Sequence, residues 1–228
     1  VLAEPGWQDR RMTSATDLTV GVIGGTGPQG KGLALHWSAA GIRVAIGSRD
    51  PDRAATAAAE LDGDVSGATN ADVAATSDLI VVTVPWDGHA DTVRTLAPYA
   101  GGKIVVDCVN PLGFDKRGPY PLPVEAGSAA EQAQALLPDA TVVAAFHHVS
   151  AVLLADPEVT SFDLDVLVLG EVREAVQTVI GLVDVIPGMR GIYAGRLRNA
   201  GQVEALTANL IAINRRYKAH SGIRVTDV

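Results

Sequence analysis

Six residues, Gly25-Thr26-Gly27-Pro28-Gln29-Gly30, place glycines at the first, third and sixth positions of one loop. The loop follows the apolar run Thr19–Gly24 and opens a helical window, Gln29–Ala40. In that strand–turn–helix setting the spacing holds a dinucleotide. Gly25 permits a tight turn, Gly27 lets the backbone approach a pyrophosphate, and Gly30 lets helix pack on strand. Thr26, Pro28 and Gln29 complete the loop, and the free N–H groups of the following helix attract phosphate. Further along, the next strand ends in Gly47-Ser48-Arg49. An acid at that point would accept from a ribose 2′-hydroxyl, whereas an arginine accommodates a 2′-phosphate. Ser48 can donate a hydroxyl, Arg49 a planar guanidinium, and Arg53 a second charge one turn on. Asp50 is read as the start of the next helix, where a negative charge is favourable. The pattern therefore points to NADP(H) rather than NAD(H). The competing role for Arg49 is a surface ion pair.

In an open α/β sheet the ligand lies beyond the carboxyl ends of the strands. The residues expected there are Thr83-Val84-Pro85-Trp86, Asp107-Cys108-Val109-Asn110-Pro111 and Phe146–Ala151, "FHHVSA". His147 and His148 are candidates for a general acid or a residue beside the hydride site. No metal site is expected, because adjacent histidines point apart and no nearby Cys or acid pair completes a ligand set. Asp17, Asp107 and Glu204 show no dyad spacing, so the sequence offers a cofactor platform with no evident acid/base pair. Hydride exchange between two cofactors needs little more than rings held about 3–3.5 Å apart in a dry cleft.

The elements that must position these residues alternate. Strands are predicted at Thr19–Gly24, Arg43–Gly47, Leu79–Val84, Lys103–Asp107, Thr141–Ala145 and Asp165–Leu169. Helices are predicted at Gln29–Ala40, Pro51–Leu61, Gly88–Leu96, Ser128–Leu137 and Val172–Val183. Continuous apolar runs such as "VVTV" and "IVVD" suit parallel strands covered on both faces. The expected fold is α/β, a doubly wound, mostly parallel Rossmann-type sheet with a small C-terminal helical lobe. That lobe holds a short strand, Gly191–Ala194, and the long window "LRNAGQVEALTANLIAINRRYKAH", whose apolar stripe points to a homodimer or higher homo-oligomer. The domain reading is an N-terminal extension at 1–16, a nucleotide-binding domain at 17–185 and the lobe at 186–228.

Composition narrows the class. The chain has 228 residues, 47% hydrophobic and 19% charged, which is enough for one well-filled core. A net charge of −8 argues against a nucleic-acid partner. Between Arg190 and Val228, however, seven basic residues face two acids, which reads either as an anion site or as a solvated helix face. The single cysteine, Cys108, excludes an internal disulfide and fits a reducing cytoplasm. No 18-residue apolar run is present, so no membrane span is expected. Residues 1–16 lack the apolar core of a signal peptide, and Met12 is an alternative start.

The segments "VIGGTGPQGKGLAL", "IGSRD", "TVPWDGHADTVRTL", "KIVVDCVNPL", "VVAAFHHVSAVLLAD", "DVLVLG" and "LRNAGQVEALT" resemble the coenzyme F420-dependent NADP oxidoreductases. The resemblance runs from about Leu18 to Arg215. It implies reversible hydride transfer between C4 of NADP(H) and C5 of the deazaflavin coenzyme F420. It also implies that Thr26, Gly27, Pro28 and Gln29 hold the pyrophosphate, and that Ser48, Arg49 and Arg53 hold the 2′-phosphate. Val84, Asn110, His147, Val149 and Ala151 would line the stacked rings, with Pro85 and Pro111 beside them. The chain departs from the family pattern at Arg53, which replaces a lysine, and in three further places. Ser150 replaces a proline, Gly88 stands where the family has a histidine with His89 one place on, and Gly201 replaces an arginine. Arg196 and Arg198 in the basic lobe are candidates for the phosphodiester and glutamate tail of the deazaflavin. Two other readings stand beside this one. They are an NADPH-dependent imine or keto-acid reductase of the pyrroline-carboxylate reductase kind, and a non-catalytic NADP-binding module.

Overall fold

The computed structural model describes residues 17–228, so the extension expected at 1–16 lies outside the described residues. The chain begins with the alternation expected of βαβ units. It runs β1 (Thr19–Ile23), α1 (Pro28–Ala39), β2 (Arg43–Ser48), α2 (Pro51–Ala59), β3 (Val65–Thr69), α3 (Asn70–Thr76) and β4 (Leu79–Val82). After a 3-10 turn at Trp86–Gly88 come α4 (His89–Ala100) and β5 (Ile104–Asp107). A small hairpin follows, β6 (Leu112–Asp115) and β7 (Gly118–Pro121). The chain continues through α5 (Ala129–Leu136), β8 (Thr141–Ala144), α6 (Ala151–Leu154), β9 (Leu164–Gly170) and α7 (Arg173–Asp184). It closes with β10 (Met189–Gly195) and α8 (Ala200–Tyr217).

Eight strands form one sheet in the order β10-β9-β8-β5-β4-β1-β2-β3. Every pairing is parallel except β8 with β9. The order reverses at β1, between β2 and β4, which is the switch point where such sheets bind ligands. Side chains alternate across the sheet with the strand period of two. Val20, Val22, Leu79, Val81, Val106 and Val143 pack with Leu33, Trp37, Ala54, Leu154 and Val179, from α1, α2, α6 and α7. Ile80, Val82, Val105, Val142 and Ala144 pack on the other face with Val73, Leu96, Ala133 and Val203, from α3, α4, α5 and α8. With few aromatics, β-branched residues and alanines fill both layers. Trp37 is an exception: fully buried, it donates its indole N–H to the Leu182 carbonyl and meets Phe146 edge-on.

β3, α3, the β6–β7 hairpin and the short helix α6 were not foreseen. β3 reads Val-Ser-Gly-Ala-Thr, has no apolar run, and is an edge strand defined by its pairing to β2. α3 follows at once, capped by Thr69, whose hydroxyl accepts from Asp72 N. The β6–β7 hairpin packs on α8. α4 also runs four residues past its expected end at Leu96, through Pro98. Near a helix terminus the missing proline N–H removes only one bond.

Residues 186–228 give the sheet an edge strand and α8, then a C-terminal segment pinned to that edge. Asp165 N donates to Ile223 O, and Val225 N donates to the Asp165 carboxylate at 2.6 Å. Arg190 clamps Asp165 with two bonds of 2.9 Å and donates onward to the Val225 and Val228 carbonyls.

Candidate functional site

The β1–α1 loop makes its turn one residue earlier than the spacing suggests. Gly24 has φ +72, the left-handed region that favours glycine, and Gly24 N is held by Asn70 Oδ1 at 3.3 Å. Gly25 instead owes its glycine to packing, since a Cβ there would stand 2.8 Å from the Val22 carbonyl. A Cβ on Gly30 would stand 2.6 Å from both Gly25 Cα and Thr83 Oγ1, so α1 lies hard against the loop. Gly27 is different: a Cβ there would have only the Gly24 carbonyl near it, at 3.6 Å. The backbone at Gly27 thus faces open space at the α1 N-terminus, where no side chain caps the helix. Uncapped N–H groups over a space of this kind suit a pyrophosphate.

That space belongs to a cavity of about 880 Å³ along the carboxyl ends of β1, β2, β4 and β5. Of the residues expected in a site, Thr26, Gly27, Pro28, Gln29, Ser48, Arg49, Arg53, Val84, Pro85, Asn110 and Ala151 line it. Gly25 and Gly30 pack beneath the loop instead. Pro111 lines neither this cavity nor its neighbour, and its carbonyl accepts from Leu122 N. Asn70, Thr83 and Trp86 also line the cavity. Asn70 was missed because α3 itself was unrecognised.

At the β2 end the geometry separates the two readings of the charges. Asp50 caps α2, accepting from Asp52 N and Arg53 N, and so is occupied by its own helix. Ser48 Oγ accepts from Asp50 N, which leaves its proton directed elsewhere. Arg49 and Arg53 are exposed and form no ion pair with a described residue. Two guanidiniums without an ion pair among the described residues, on a cavity rim, are free to meet an anion.

A second cavity, of about 660 Å³, adjoins the first and shares Gln29, Asn110 and Ala151 with it. His147 and Val149 face this second space, as do Thr207, Asn214, Arg215 and Lys218 of the C-terminal lobe. The junction is hydrogen-bonded across its width. Gln29 Nε2 donates to the Phe146 carbonyl at 3.2 Å, and Phe146, fully buried, holds φ +63. A bulky residue at positive φ is strained and persists only where its surroundings demand it. Asn110 Nδ2 and Thr207 Oγ1 both donate to the His147 carbonyl, at 2.7 and 3.0 Å.

His147 therefore contributes to the polar junction through its backbone. Its imidazole is buried, and burial lowers its pKa to about 4, outweighing the nearby Asp107 charge and the Val109 backbone. The ring stays neutral at ordinary pH and is no general acid of the imidazolium kind. His148 is likewise held to about 4 by burial and by His147, and its Nε2 accepts from Leu167 N. Ser150, at the position of the missing proline, caps α6 by accepting from Leu153 N. Burial drives the Cys108 thiol well above its usual range, so this cavity-lining cysteine stays protonated.

The structure sorts the basic lobe. Arg190 and Arg224 are bound to Asp165, and Arg196 lies 3.3 Å from Glu171. Arg196 and Arg198 do not reach the second cavity; Arg215 and Lys218 do. The structure also unites residues the spacing left apart. Asp107 meets His89 at 2.7 Å, with Glu204 buried nearby. Among the described residues no group of three or more His, Cys, Asp or Glu is placed to hold a metal. Nor is any helix among them long and apolar enough to cross a membrane.

Residues 19–111 match the family model described as NADP oxidoreductase, coenzyme F420-dependent. The chain is 36% identical to the F420-dependent NADP reductase of Methanothermobacter thermautotrophicus, over 95% of this chain and 98% of that one. Against the enzyme of the same name from Methanocaldococcus jannaschii it is 35% identical, over 92% and 99%. The chain belongs to the F420-dependent NADP reductase family. A solved structure of a candidate F420-dependent NADP reductase from Arthrobacter sp. FB24 superposes with a TM-score of 0.78 at 28% identity. That match covers 92% of this chain and 99% of the other.

Proposed function

We propose that this chain transfers a hydride reversibly between NADP(H) in the larger cavity and coenzyme F420 in the smaller. The observation that carries the reading is the pair of adjoining cavities, about 880 and 660 Å³, meeting at Gln29, Asn110 and Ala151. Each is of a size suited to a cofactor. The open backbone at Gly27 and the uncapped α1 N-terminus fit a pyrophosphate, and the free guanidiniums of Arg49 and Arg53, with Ser48, fit a 2′-phosphate. Arg215 and Lys218 would hold the anionic tail of F420 in place of Arg196 and Arg198. When bound, the two coenzymes supply the chemistry themselves, a hydride moving between the nicotinamide C4 and the deazaflavin C5. The protein's part is to orient and to exclude water. Val84, Pro85 and Ala151 present apolar surface, Val149 does so from the second cavity, and Asn110 with Thr207 fixes the backbone between them.

On this reading residues 17–185 supply the nucleotide platform and 186–228 complete the second cavity. The enzyme would work in the cytoplasm. Association through α8 would cover Ile213 and Tyr217, which are 40% and 73% exposed. The imine- or keto-acid-reductase alternative has less support, since the reductase relatives match this chain end to end. The deciding experiment mixes the protein with NADPH and oxidised F420 and follows both absorbances. Paired loss of NADPH and oxidised F420 is the expected result. Turnover only with an imine or keto acid would move the assignment to the alternative, and tight NADPH binding without any turnover would favour a non-catalytic module.

A further inference from the structure

Behind the cleft wall lies a closed polar circuit centred on His89. The His89 ring is fully buried, with Nε2 at 2.7 Å from Asp107 Oδ2 and Nδ1 at 2.9 Å from Gln132 Oε1. The other Asp107 oxygen accepts from Val109 N at 3.0 Å, which shapes the turn carrying Asn110. Asn110 Nδ2 and Thr207 Oγ1 of α8 both donate to the His147 carbonyl, which ties that turn to α8. One turn back on α8, Glu204 accepts from Ala129 N and Ala130 N, the first residues of the helix that bears Gln132. Trp86, a wall residue of the larger cavity, stacks on the His89 ring at 5.5 Å with the planes 25° apart.

We propose that His89 is a positioning residue for the nicotinamide end of the cleft, holding Trp86 and the Asp107–Asn110 turn in register with α8. The inference rests on the function proposed above for its rate readout, but not for its structural one. With an acceptor at each ring nitrogen, the imidazolium satisfies both neighbours at once. Burial alone would strip its proton. The hydrogen bond and charge of Asp107, with Gln132 and the charge of Glu204, outweigh burial and leave the pKa raised. The titratable groups facing the ring are Asp107 from β5 and Glu204 from α8, and the neutral Gln132 faces it from α5. Without His89, Asp107 would be a buried carboxylate with no cation beside it, and the turn it organises would relax. The phosphate grips, at the α1 N-terminus and at Arg49 and Arg53, belong to other elements and make no bond in the circuit.

Loss of the circuit should therefore separate rate from affinity. In full-length His89→Asn, NADPH should bind as in the parent, whereas single-turnover transfer to F420 should slow by roughly tenfold to a hundredfold, as expected for slightly misplaced reactants. The parent's transfer rate should fall as pH rises through the raised His89 pKa. That alkaline limb should persist in Glu204→Gln and vanish in His89→Asn. Independently of turnover, the Trp86 indole N–H resonance should shift along the same titration in the parent and stay still in His89→Asn. A folded His89→Asn chain with the parent's rate, or with equal losses in rate and NADPH affinity, overturns the proposal. So does a Trp86 resonance indifferent to pH. If His89→Asn does not fold, Gln132→Met decides by the same split. A parent chain that transfers no hydride to F420 overturns the proposed function instead, and the Trp86 titration then decides the role of His89.

Discussion

At the scale of single residues the nucleotide end is governed by which charges the fold leaves unspent. Asp50 is consumed by the α2 cap, whereas Arg49 and Arg53 form no ion pair among the described residues. A charged hydrogen bond of this kind contributes about 1.5–3 kcal/mol. Arg49→Asp should thus cost roughly ten- to a hundredfold in NADPH affinity and narrow the preference over NADH. Parallel titrations with both nucleotides measure it, and an unchanged ratio would mean that Arg49 does not read the 2′-phosphate. At the other cavity, Arg215→Ala with Lys218→Ala should weaken F420 binding and leave NADPH binding intact. Arg196→Ala should do neither, because its guanidinium is directed at Glu171. Calorimetric titration with each coenzyme separates these outcomes.

Among the elements, helix ends do much of the positioning. α1 begins uncapped, while α5 is capped twice, by Ser128 Oγ on Glu131 N and by the Glu204 carboxylate on Ala129 N and Ala130 N. The uncapped α1 end faces the cavity. Ser128→Ala should cost about 1 kcal/mol, the usual worth of such a cap, and thermal melts will show it. Gly30→Ala should be worse in a specific way, since its methyl must push α1 away from Gly25 and Thr83. Loss of NADPH affinity together with a lower Tm is expected, and a parent-like Kd would mean that the loop tolerates displacement. The C-terminal segment depends on one carboxylate. The hydrogen bond from Arg190, aided by Val225 N and the Arg224 charge, outweighs burial and holds the Asp165 pKa at about 2. That contribution is present above the ordinary carboxylate range and lost as pH falls through about 2. Asp165→Asn should raise amide exchange in residues 219–228, next to the second cavity, ahead of any change in the β1–β5 core.

For the molecule as a whole, the buried circuit should make stability fall as pH rises. Burial raises the Glu204 pKa to about 7, against the opposing Ala129 and Ala130 N–H groups. A carboxyl raised in the folded state favours folding below its unfolded value near 4.5, and that advantage is lost as pH rises through about 7. His89, also raised, acts in the same direction. The Tm of the parent should therefore decline as pH rises from about 4.5 through about 7, where Glu204 loses its advantage, and His89 carries the decline on above 6.5. Glu204→Gln should flatten that decline and melt higher than the parent at the alkaline end. A decline that survives the substitution would place its origin elsewhere.

The nucleotide half was legible because its signals are local. Glycine spacing, a strand before it, a helix after it and Gly47-Ser48-Arg49 all lie within a βαβ unit, where backbone geometry follows from neighbouring residues. Even there the positive φ moved to Gly24, since the turn is set by contact with Val84 and Asn70 rather than by the motif. β3 escaped notice because Ser66 and Gly67 hide it, and only pairing with β2 makes that stretch a strand. His89, Asp107, Gln132 and Glu204 come from four separated elements, and no local spacing relates them. Likewise, seven basic residues near the C-terminus could be counted in the sequence, but which of them reach a ligand could not. The sequence by itself determined the α/β alternation, the dinucleotide loop and the charge at its far end, since each depends on residues close together in the chain. Tertiary structure alone decided that two cavities share a wall, that His147 is neutral and buried, and that Arg215 and Lys218 rather than Arg196 face the second cavity. Burial and long-range pairing arise only when distant segments close on one another.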